Sequence, residues 1–179
     1  MFADFNYGCL PQNLVDRIAE MASARGIPMT ADSQASSQMS DISRFRGMTL
    51  VTPTEREARL ALQDTSSGLA FLAEGLRDRA KAKNVIITLG GEGMLVHGLG
   101  ENGQNLTDRL PAMNSSPKDV AGAGDSLFTA ASIALCTGAD IWRSAYLGAV
   151  AAACQVSRVG NSPLQTRDIL TELDQPDQE

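Results

Sequence analysis

Apolar residues along the chain form two kinds of pattern, short runs and longer stretches with a helical period. Residues 48–52 and 85–89 are the short runs, interrupted only by threonine, and the second is rich in β-branched side chains, as is typical of strands buried in a parallel sheet. Residues 54–57 open one predicted helix, and another covers residues 67–83. Strands that alternate with helices indicate an α/β layered fold with a mostly parallel sheet.

The start of the chain is predicted as strand, helix, strand and loop. Residues 3–5 and 27–31 are the strands, and residues 33–43, rich in Ser, Gln and Asp, are the loop. The helix between the two strands begins near Pro11 and ends at Gly26. Its apolar face is predicted to carry Leu14, Ile18, Met21 and Ala22.

The second half is predicted to begin with a hairpin and to continue as helices. The glycine-rich turn at residues 90–93 connects the strand at 85–89 to a strand at 94–97, and a further short strand is expected near residues 106–110. Helices are predicted at residues 124–138, at 140–156 and after Thr166. One domain is therefore predicted over residues 1–174, followed by a frayed tail at 175–179.

Charge and hydropathy exclude two classes of partner. The net charge is −6 and Lys and Arg form no cluster, so nucleic-acid binding, which depends on phosphate neutralisation, is not expected. No apolar run is long enough to span a bilayer, and no basic-then-apolar leader opens the chain. We therefore expect a cytoplasmic protein that binds neither nucleic acid nor membrane.

Cysteine and histidine usage excludes several kinds of catalysis. The three cysteines, Cys9, Cys136 and Cys154, form no C-x-x-C pair and are odd in number, so buried free thiols are expected. The single histidine, His97, is expected at a strand end rather than in an active site. One imidazole largely excludes a Ser-His-Asp or Cys-His mechanism and any zinc site that needs several imidazoles.

A run of small residues before a helix is the strongest candidate for chemistry. Gly122, Ala123 and Gly124 lack bulky side chains, so a phosphate could approach their backbone closely. The N–H groups of the first helical turn would then point at that phosphate, supported by the helix dipole. Asp125 could accept a proton from an attacking hydroxyl. A tight loop with Asp125 as a helix cap is the plain structural alternative.

Residues 119–132, Asp-Val-Ala-Gly-Ala-Gly-Asp-Ser-Leu-Phe-Thr-Ala-Ala-Ser, resemble the carboxy-terminal signature of the PfkB/ribokinase carbohydrate kinases. The resemblance implies a ribokinase-like three-layer α/β/α fold, of which the amino-terminal part is absent here. It also implies ATP-dependent phosphorylation of a sugar or sugar-phosphate hydroxyl. Asp125 would be the catalytic residue, and Gly122, Ala123 and Gly124 would form the anion hole.

Two further segments resemble the family's nucleotide site. Residues 85–93 resemble the strand and glycine turn beside ATP, and residues 148–162 resemble the helix and loop that wall the adenine. The plain alternatives are a hairpin turn and close packing of helices on small alanines. The resemblance assigns nucleotide contacts to Thr88, Gly90, Gly93, Gly160 and Asn161.

The resemblance also implies metal cofactors. Residues 52–57 are similar to the family's Asn-x-x-Glu element, in which Glu57 would help to organise Mg²⁺ and phosphates through water. Thr54 stands where Asn is usual, and the Thr54-x-x-Glu57 spacing is also a capping box. In the family, the loop that residues 158–162 resemble, together with Asp119, often holds a monovalent cation such as K⁺, and Ala121 would offer its backbone carbonyl.

The sequence gives less information on the branch of the family, and therefore on the substrate. Asp4 to Gly8 and the position of Asp32 are similar to elements of heptose-phosphate kinases, such as the kinase domain of ADP-heptose synthase, although ribose, fructose or nucleoside kinases stay open. Family members are longer at the amino terminus, where their sugar-binding residues lie. A missing amino-terminal half, or a homodimer partner, is therefore expected.

Two other functions remain open at this stage. The chain could be a nucleotide-binding fragment that does not turn over on its own, because the sugar-binding half is lacking. It could also be a non-catalytic interaction domain with a degenerate site, to which Thr54 in place of Asn gives some weight.

Overall fold

A computed structural model describes residues 1–34, 41–100 and 102–174. These residues form two compact units. The sheet unit comprises Met1–Leu89 and Met94–Arg109, and the helical unit comprises Gly90–Gly93 and Leu110–Glu179. The predicted tail at residues 175–179 lies outside the described residues.

The described strands form a six-stranded sheet in the order β1-β2-β3-β4-β5-β6. Neighbouring strands from β1 to β4 pair in parallel, and β4 pairs with β5 in antiparallel register. The predicted mostly parallel sheet and its hairpin are thus confirmed. The strands are β1 (Phe2–Asp4), β2 (Thr30–Ser33), β3 (Leu50–Val51), β4 (Asn84–Thr88), β5 (Met94–Leu99) and β6 (Asn105–Leu110).

Helices occur in both units, near the predicted positions. The sheet unit contains α1 (Gln12–Ser23), α2 (Glu55–Leu62), α3 (Leu69–Ala80) and a 3-10 turn at Ile42–Arg44. The helical unit contains a 3-10 turn at Gly90–Glu92, then α4 (Ala123–Cys136), α5 (Ile141–Val156) and α6 (Thr166–Leu173). None of these described helices is long and apolar enough to cross a membrane.

The core of the sheet unit lies where the short apolar runs predicted it. Val85, Ile86 and Ile87 of β4 are completely buried, as expected for a central strand covered on both faces. Apolar residues from the helices, the 3-10 turn and the loop before β3 complete one cluster around the sheet. Its fully buried members include Ile42, Phe45, Met48, Leu72, Leu76, Val85 and Ile87.

The buried face of α1 differs from the predicted face. Leu14, Ile18 and Met21 are 40%, 40% and 53% exposed, whereas Val15 is 1% exposed. Ala19 and Ala22 are half-buried and pack against the core with Val15, so Ala22 is the one residue of the predicted face that is confirmed. The helix therefore turns its smaller apolar residues to the core, which allows a closer approach than the larger side chains would permit.

Strand β2 begins three residues later than predicted. Ile27, expected to open the strand, is half exposed, and its N–H donates to the Ala22 carbonyl at 2.9 Å. That bond closes the end of α1, so Ile27 belongs to the helix termination. The predicted loop at residues 33–43 is also shorter, because Ser33 lies in β2 and Ile42 in the 3-10 turn; residues 35–40 lie outside the described residues.

In the helical unit, α4 and α5 pack closely through small residues. A Cβ added to Gly148 of α5 would lie 3.1 Å from the Leu127 carbonyl and 3.3 Å from Ala131 Cβ, both in α4. Ala145 and Ala149 of α5 are also buried. Asp140 caps α5 as predicted, since its Oδ1 accepts the Arg143 N–H at 2.8 Å. The abundant alanine and glycine in this region therefore serve helix packing.

The cysteines depart from the sequence expectation. Cys9 and Cys136 are exposed free thiols, and only Cys154 is buried. Burial raises the pKa of the Cys154 thiol, and the nearby carboxylates Glu172 and Asp168 raise it further. Cys154 is therefore an unreactive packing residue.

His97 lies inside β5 rather than at its end and is 3% exposed. Its Nδ1 lies 2.8 Å from Thr107 Oγ1, while Nε2 is buried with no hydrogen-bond partner among the described residues. Burial lowers the pKa of His97, and the positive charge of Arg77 lowers it further. The folded protein therefore favours the neutral imidazole.

The free energy of unfolding is expected to fall as the pH drops below about 6.5, the ordinary pKa of histidine in an unfolded chain. Below that pH, His97 is protonated in the unfolded chain and stays neutral in the folded protein. The free energy of unfolding therefore changes by at most about 1.4 kcal/mol per pH unit. Urea unfolding between pH 5 and pH 8 measures the slope. A His97→Gln variant should flatten it, because the chain has a single histidine; an unchanged slope would contradict the assignment.

Candidate active site

The loop before α4 is joined to the loop after α5 by one carboxylate. Asp119 Oδ1 accepts the Ala121 N–H at 3.0 Å, and its Oδ2 accepts the Gly160 N–H at 3.0 Å. These two bonds hold the pKa of the Asp119 carboxyl below its usual value. Asp119 thereby fixes two loops that lie 41 residues apart in sequence.

Gly122 is the residue that begins α4, and its backbone requires glycine. Its φ of 78° lies in the left-handed region. A Cβ at this position would overlap Asn161 Oδ1 and lie 2.7 Å from Asn161 Cγ. The structure therefore brings Asn161, which the sequence assigned to the nucleotide site, directly over the first residue of the predicted anion hole.

Ala123, Gly124 and Asp125 form the first turn of α4, one residue earlier than the predicted helix start. Ala123 N–H donates to the Val120 carbonyl over a long 3.3 Å, and the space next to Gly124 is open. N–H groups of a first helical turn have no carbonyl partner within the helix. Asp125 is half-buried at the third helical position, so a carboxylate stands beside open backbone donors.

Gln155 was not anticipated from the sequence, yet it connects the same two loops. Its side chain is 1% exposed, and its Nε2 donates to the carbonyls of Ala121 and Gly160 at 3.2 Å each. Its Oε1 accepts a bond from Arg158 at 2.9 Å. The signal that could have revealed it is a lone amide in the apolar run of residues 147–156.

The turn at residues 90–93 belongs to the helical unit. Gly93 has a φ of 90°, and a Cβ there would overlap the Leu110 carbonyl and lie 2.6 Å from Ala112 N. Gly93 is therefore required by packing, apart from any nucleotide contact. Gly90, with a φ of 61°, faces open space. A ligand could approach Gly90 without meeting another part of this unit.

In the sheet unit, Glu57 lies in the first turn of α2, and Thr88 is the last residue of β4. Both halves of the predicted capping box are present: Thr54 Oγ1 accepts the Glu57 N–H at 3.2 Å, and Glu57 Oε2 accepts the Thr54 N–H at 2.7 Å. Thr54 also forms a parallel bridge with Thr88, whose N–H donates to the Pro53 carbonyl at 2.9 Å. The start of α2 is thus fixed beside the end of β4.

Other polar groups line the carboxyl ends of the parallel strands, where ligands bind in open α/β sheets. Asp4, at the end of β1, forms a 2.7 Å ion pair with Arg44 and accepts the Asn6 N–H at 3.0 Å. Asp32 in β2 accepts a 2.9 Å bond from Thr52. Asp4 is only 5% exposed, so its contacts with Arg44 and Asn6 fix the position of the loops at this edge of the sheet.

Comparison with known proteins turns these features into a family assignment. The family model described as pfkB family carbohydrate kinase matches residues 4–167. The chain belongs to the PfkB family. The match covers both the loop before α4 and the strand ends of the sheet unit, as the resemblance in the sequence indicated.

Relatives of this PfkB chain are longer than it is. It is 30% identical over 179 residues to the bifunctional protein HldE of Desulfatibacillum aliphaticivorans, a match covering 97% of this chain and 35% of that protein. The similarity to HldE agrees with the heptose-phosphate kinase branch that the sequence suggested. The chain thus spans about a third of the length of this curated relative.

Solved structures confirm the ribokinase-like α/β/α fold. Phosphofructokinase-2 from Escherichia coli in complex with potassium gives a TM-score of 0.74 at 19% identity, covering 90% of this chain and 52% of that one. Ribokinase from Arabidopsis thaliana complexed with ribose and ATP gives 0.75 at 17% identity, covering 93% and 54%. The chain therefore corresponds to about half of each kinase.

The PfkB fold implies Mg²⁺, and the residues present fit a site in which the protein supplies few of the metal ligands. Among the residues that the structure describes, no three His, Cys, Asp or Glu side chains group as a metal site. Mg²⁺ commonly takes one or two carboxylates and completes its shell with water and substrate phosphates. Glu57 can serve that role only in part, since its Oε2 already accepts the Thr54 N–H.

Proposed function

We propose that this chain is the nucleotide-binding and catalytic part of an ATP-dependent kinase that phosphorylates a sugar or sugar-phosphate hydroxyl. One observation carries the proposal: a left-handed glycine, Gly122, opens a helix whose third residue is Asp125. In this arrangement backbone N–H groups and a carboxylate lie within one helical turn. Membership of the PfkB family supports the reaction class.

The helix start would act on the transferred phosphate. Backbone donors at Gly122, Ala123 and Gly124 would stabilise negative charge on the transferred group, because the positive end of the α4 dipole lies there. Asp125 would orient the attacking hydroxyl and accept its proton late, which suffices for a loose transition state. Phosphoryl transfer needs this positioning more than it needs a strong base.

The nucleotide contacts are assigned residue by residue from the family resemblance. We assign Gly160 and Asn161 to the adenine side, because Asp119 and Gln155 fix their loop. Thr88, Gly90 and Gly93 are assigned to the phosphates, as the glycine turn follows β4 directly. Bound Mg²⁺ would neutralise phosphate charge, and Glu57 would hold it through water.

The substrate we propose is a heptose phosphate. The similarity to HldE supports this choice, as do the polar residues at the ends of β1 and β2. Pro and Lys, usual after the Asp32 position in that branch, are absent here, so a lysine contact to the substrate phosphate is lost. Ribose, fructose and nucleoside substrates are the comparison set for the assay.

A nucleotide-binding fragment without turnover is the second candidate. It is favoured by one observation, that the chain covers only about half of the solved kinases it resembles. Such a fragment would bind Mg-ATP and transfer nothing until a second segment supplied the sugar-binding residues.

One pair of measurements tests both candidates. Calorimetry with Mg²⁺ and a non-hydrolysable ATP analogue measures nucleotide binding by the 179-residue chain. ADP release with a heptose phosphate, fructose, ribose or a nucleoside, measured for this chain and for the full-length protein, then reports transfer. Binding with transfer by the 179-residue chain supports the kinase. Binding by this chain, with transfer only by the full-length protein, supports the fragment. Undetectable Mg-ATP binding would leave only a non-catalytic interaction domain.

A further inference from the structure

The amide of Gln155 occupies a place where the family resemblance led us to expect a cation. A monovalent cation held by this loop would need the Ala121 carbonyl and the Asp119 carboxylate. Gln155 Nε2 instead lies 3.2 Å from both the Ala121 and the Gly160 carbonyl oxygens. A side-chain amide nitrogen has two N–H donors, so one is directed at each carbonyl.

The orientation of this amide is fixed by Arg158. Arg158 NH2 donates to Gln155 Oε1 at 2.9 Å and to the Ser162 carbonyl at 2.8 Å. Because a guanidinium can only donate, the Gln155 oxygen must face Arg158 and the nitrogen must face the two carbonyls. The amide therefore cannot rotate to offer its oxygen to a cation without losing all three bonds.

The other oxygen atoms that could bind a cation here, those of Asp119, already accept hydrogen bonds. Both Asp119 oxygens accept backbone N–H groups, from Ala121 and from Gly160. Arg158 adds a fixed positive charge next to Gln155, and its NH1 lies 3.6 Å from Asp168 Oδ2. A cation between the two carbonyls would displace the amide and face this guanidinium. The residues present do not fit the monovalent cation.

We propose that the Gln155 amide replaces the monovalent cation in this protein. It joins the loop before α4 to the loop after α5 by two neutral hydrogen bonds, where a cation would join them by two carbonyl ligands. Gln155 is thus a positioning residue for the anion hole at Gly122, and the loops are organised without K⁺. The effect of this replacement on turnover rests on the proposed function, whereas its effect on stability does not.

Thermal unfolding in matched salts tests this directly. A ligand that binds only the folded state raises Tm, whereas ionic strength acts alike in all salts. With KCl, NaCl or choline chloride at equal ionic strength, the unaltered chain should show the same Tm within about 1 °C. A K⁺-specific rise of about 3 °C or more would overturn the proposal.

Variants at Gln155 test the replacement itself. Gln155→Ala removes the amide and leaves room between two buried carbonyls, so its Tm should fall in choline chloride and recover at least in part in KCl. Gln155→Met fills the room without donating, so its Tm should fall without recovery. If the unaltered chain and both variants are equally insensitive to K⁺, the proposal is wrong. Should Gln155→Ala fail to fold, Gln155→Ser takes its place in the same comparison.

These stability measurements involve no phosphoryl transfer, so they separate this proposal from the proposed kinase function. In the full-length protein, turnover should also change by less than about twofold between KCl and choline chloride, a difference of under about 0.4 kcal/mol. Strict dependence of turnover on K⁺ would overturn the proposal while leaving the kinase function intact.

Discussion

Asp125→Asn is expected to lower phosphoryl transfer by a factor of about a hundred or more while leaving Mg-ATP binding within about twofold. The amide keeps the size of the side chain but cannot accept the proton of the attacking hydroxyl. Asp125 is half-buried at the third position of α4, and its substitution leaves the Gly122 backbone and the Asp119 bonds in place. Turnover in the full-length protein and calorimetry with an ATP analogue measure the two effects.

Asp140→Asn is the matched control for this substitution. Asp140 caps α5 through the Arg143 N–H, and asparagine caps helices about as well as aspartate does. The control changes the same functional group in the same unit and should keep both activity and Tm. If Asp125→Asn retains near-normal turnover, the proton acceptor is another group and the role proposed for Asp125 is wrong.

The parts of the fold that the sequence predicted well are those specified by neighbouring residues. The short apolar run that forms β4 and the Thr54–Glu57 capping box both depend on side chains a few positions apart. Each is found where expected, because burial on both faces and helix capping are local consequences of residue type.

The predictions from sequence were wrong where tertiary packing, and not the local sequence pattern, decides which residues are buried. The periodicity of α1 predicted a face of Leu14, Ile18, Met21 and Ala22, of which only Ala22 packs against the core, beside Val15 and Ala19. Only the close approach of the helix to the core selects the face with Val15. Ile27 was likewise expected in β2, but it donates to Ala22 and closes α1. Neither choice is encoded by hydropathy alone.

In the candidate site, too, the features set by neighbouring residues were predicted and those set by distant contacts were not. The sequence pointed to the residues 122–125 as an anion hole, and the structure gives Gly122 a left-handed backbone at the start of a helix. The bonds that hold this loop come from Gly160 and Gln155, which are 41 residues from Asp119 and 34 residues from Ala121 respectively. Contacts over such separations are a property of the folded chain, so the role of Gln155 emerged only from the structure.

Gly122→Ala is expected to reduce transfer by about a hundredfold, comparable to the loss of an anion-hole donor. Two effects act together. A non-glycine residue in the left-handed region costs roughly 1–2 kcal/mol, which should lower Tm by several degrees. The added Cβ also overlaps Asn161 Oδ1, so Asn161 must move from the position it holds over the helix start.

Gly138→Ala separates backbone strain from the site. Gly138 follows the other end of α4 with a φ of 99° and has no atom within 4 Å of an added Cβ. It should therefore lower Tm through strain alone while keeping Mg-ATP affinity and turnover. Gly122→Ala should lower Tm at least as much, because its Cβ also overlaps Asn161, and should weaken Mg-ATP binding as well. If both variants bind the ATP analogue as tightly as the unaltered protein, Gly122 does not contact the nucleotide, and the anion hole must be sought elsewhere.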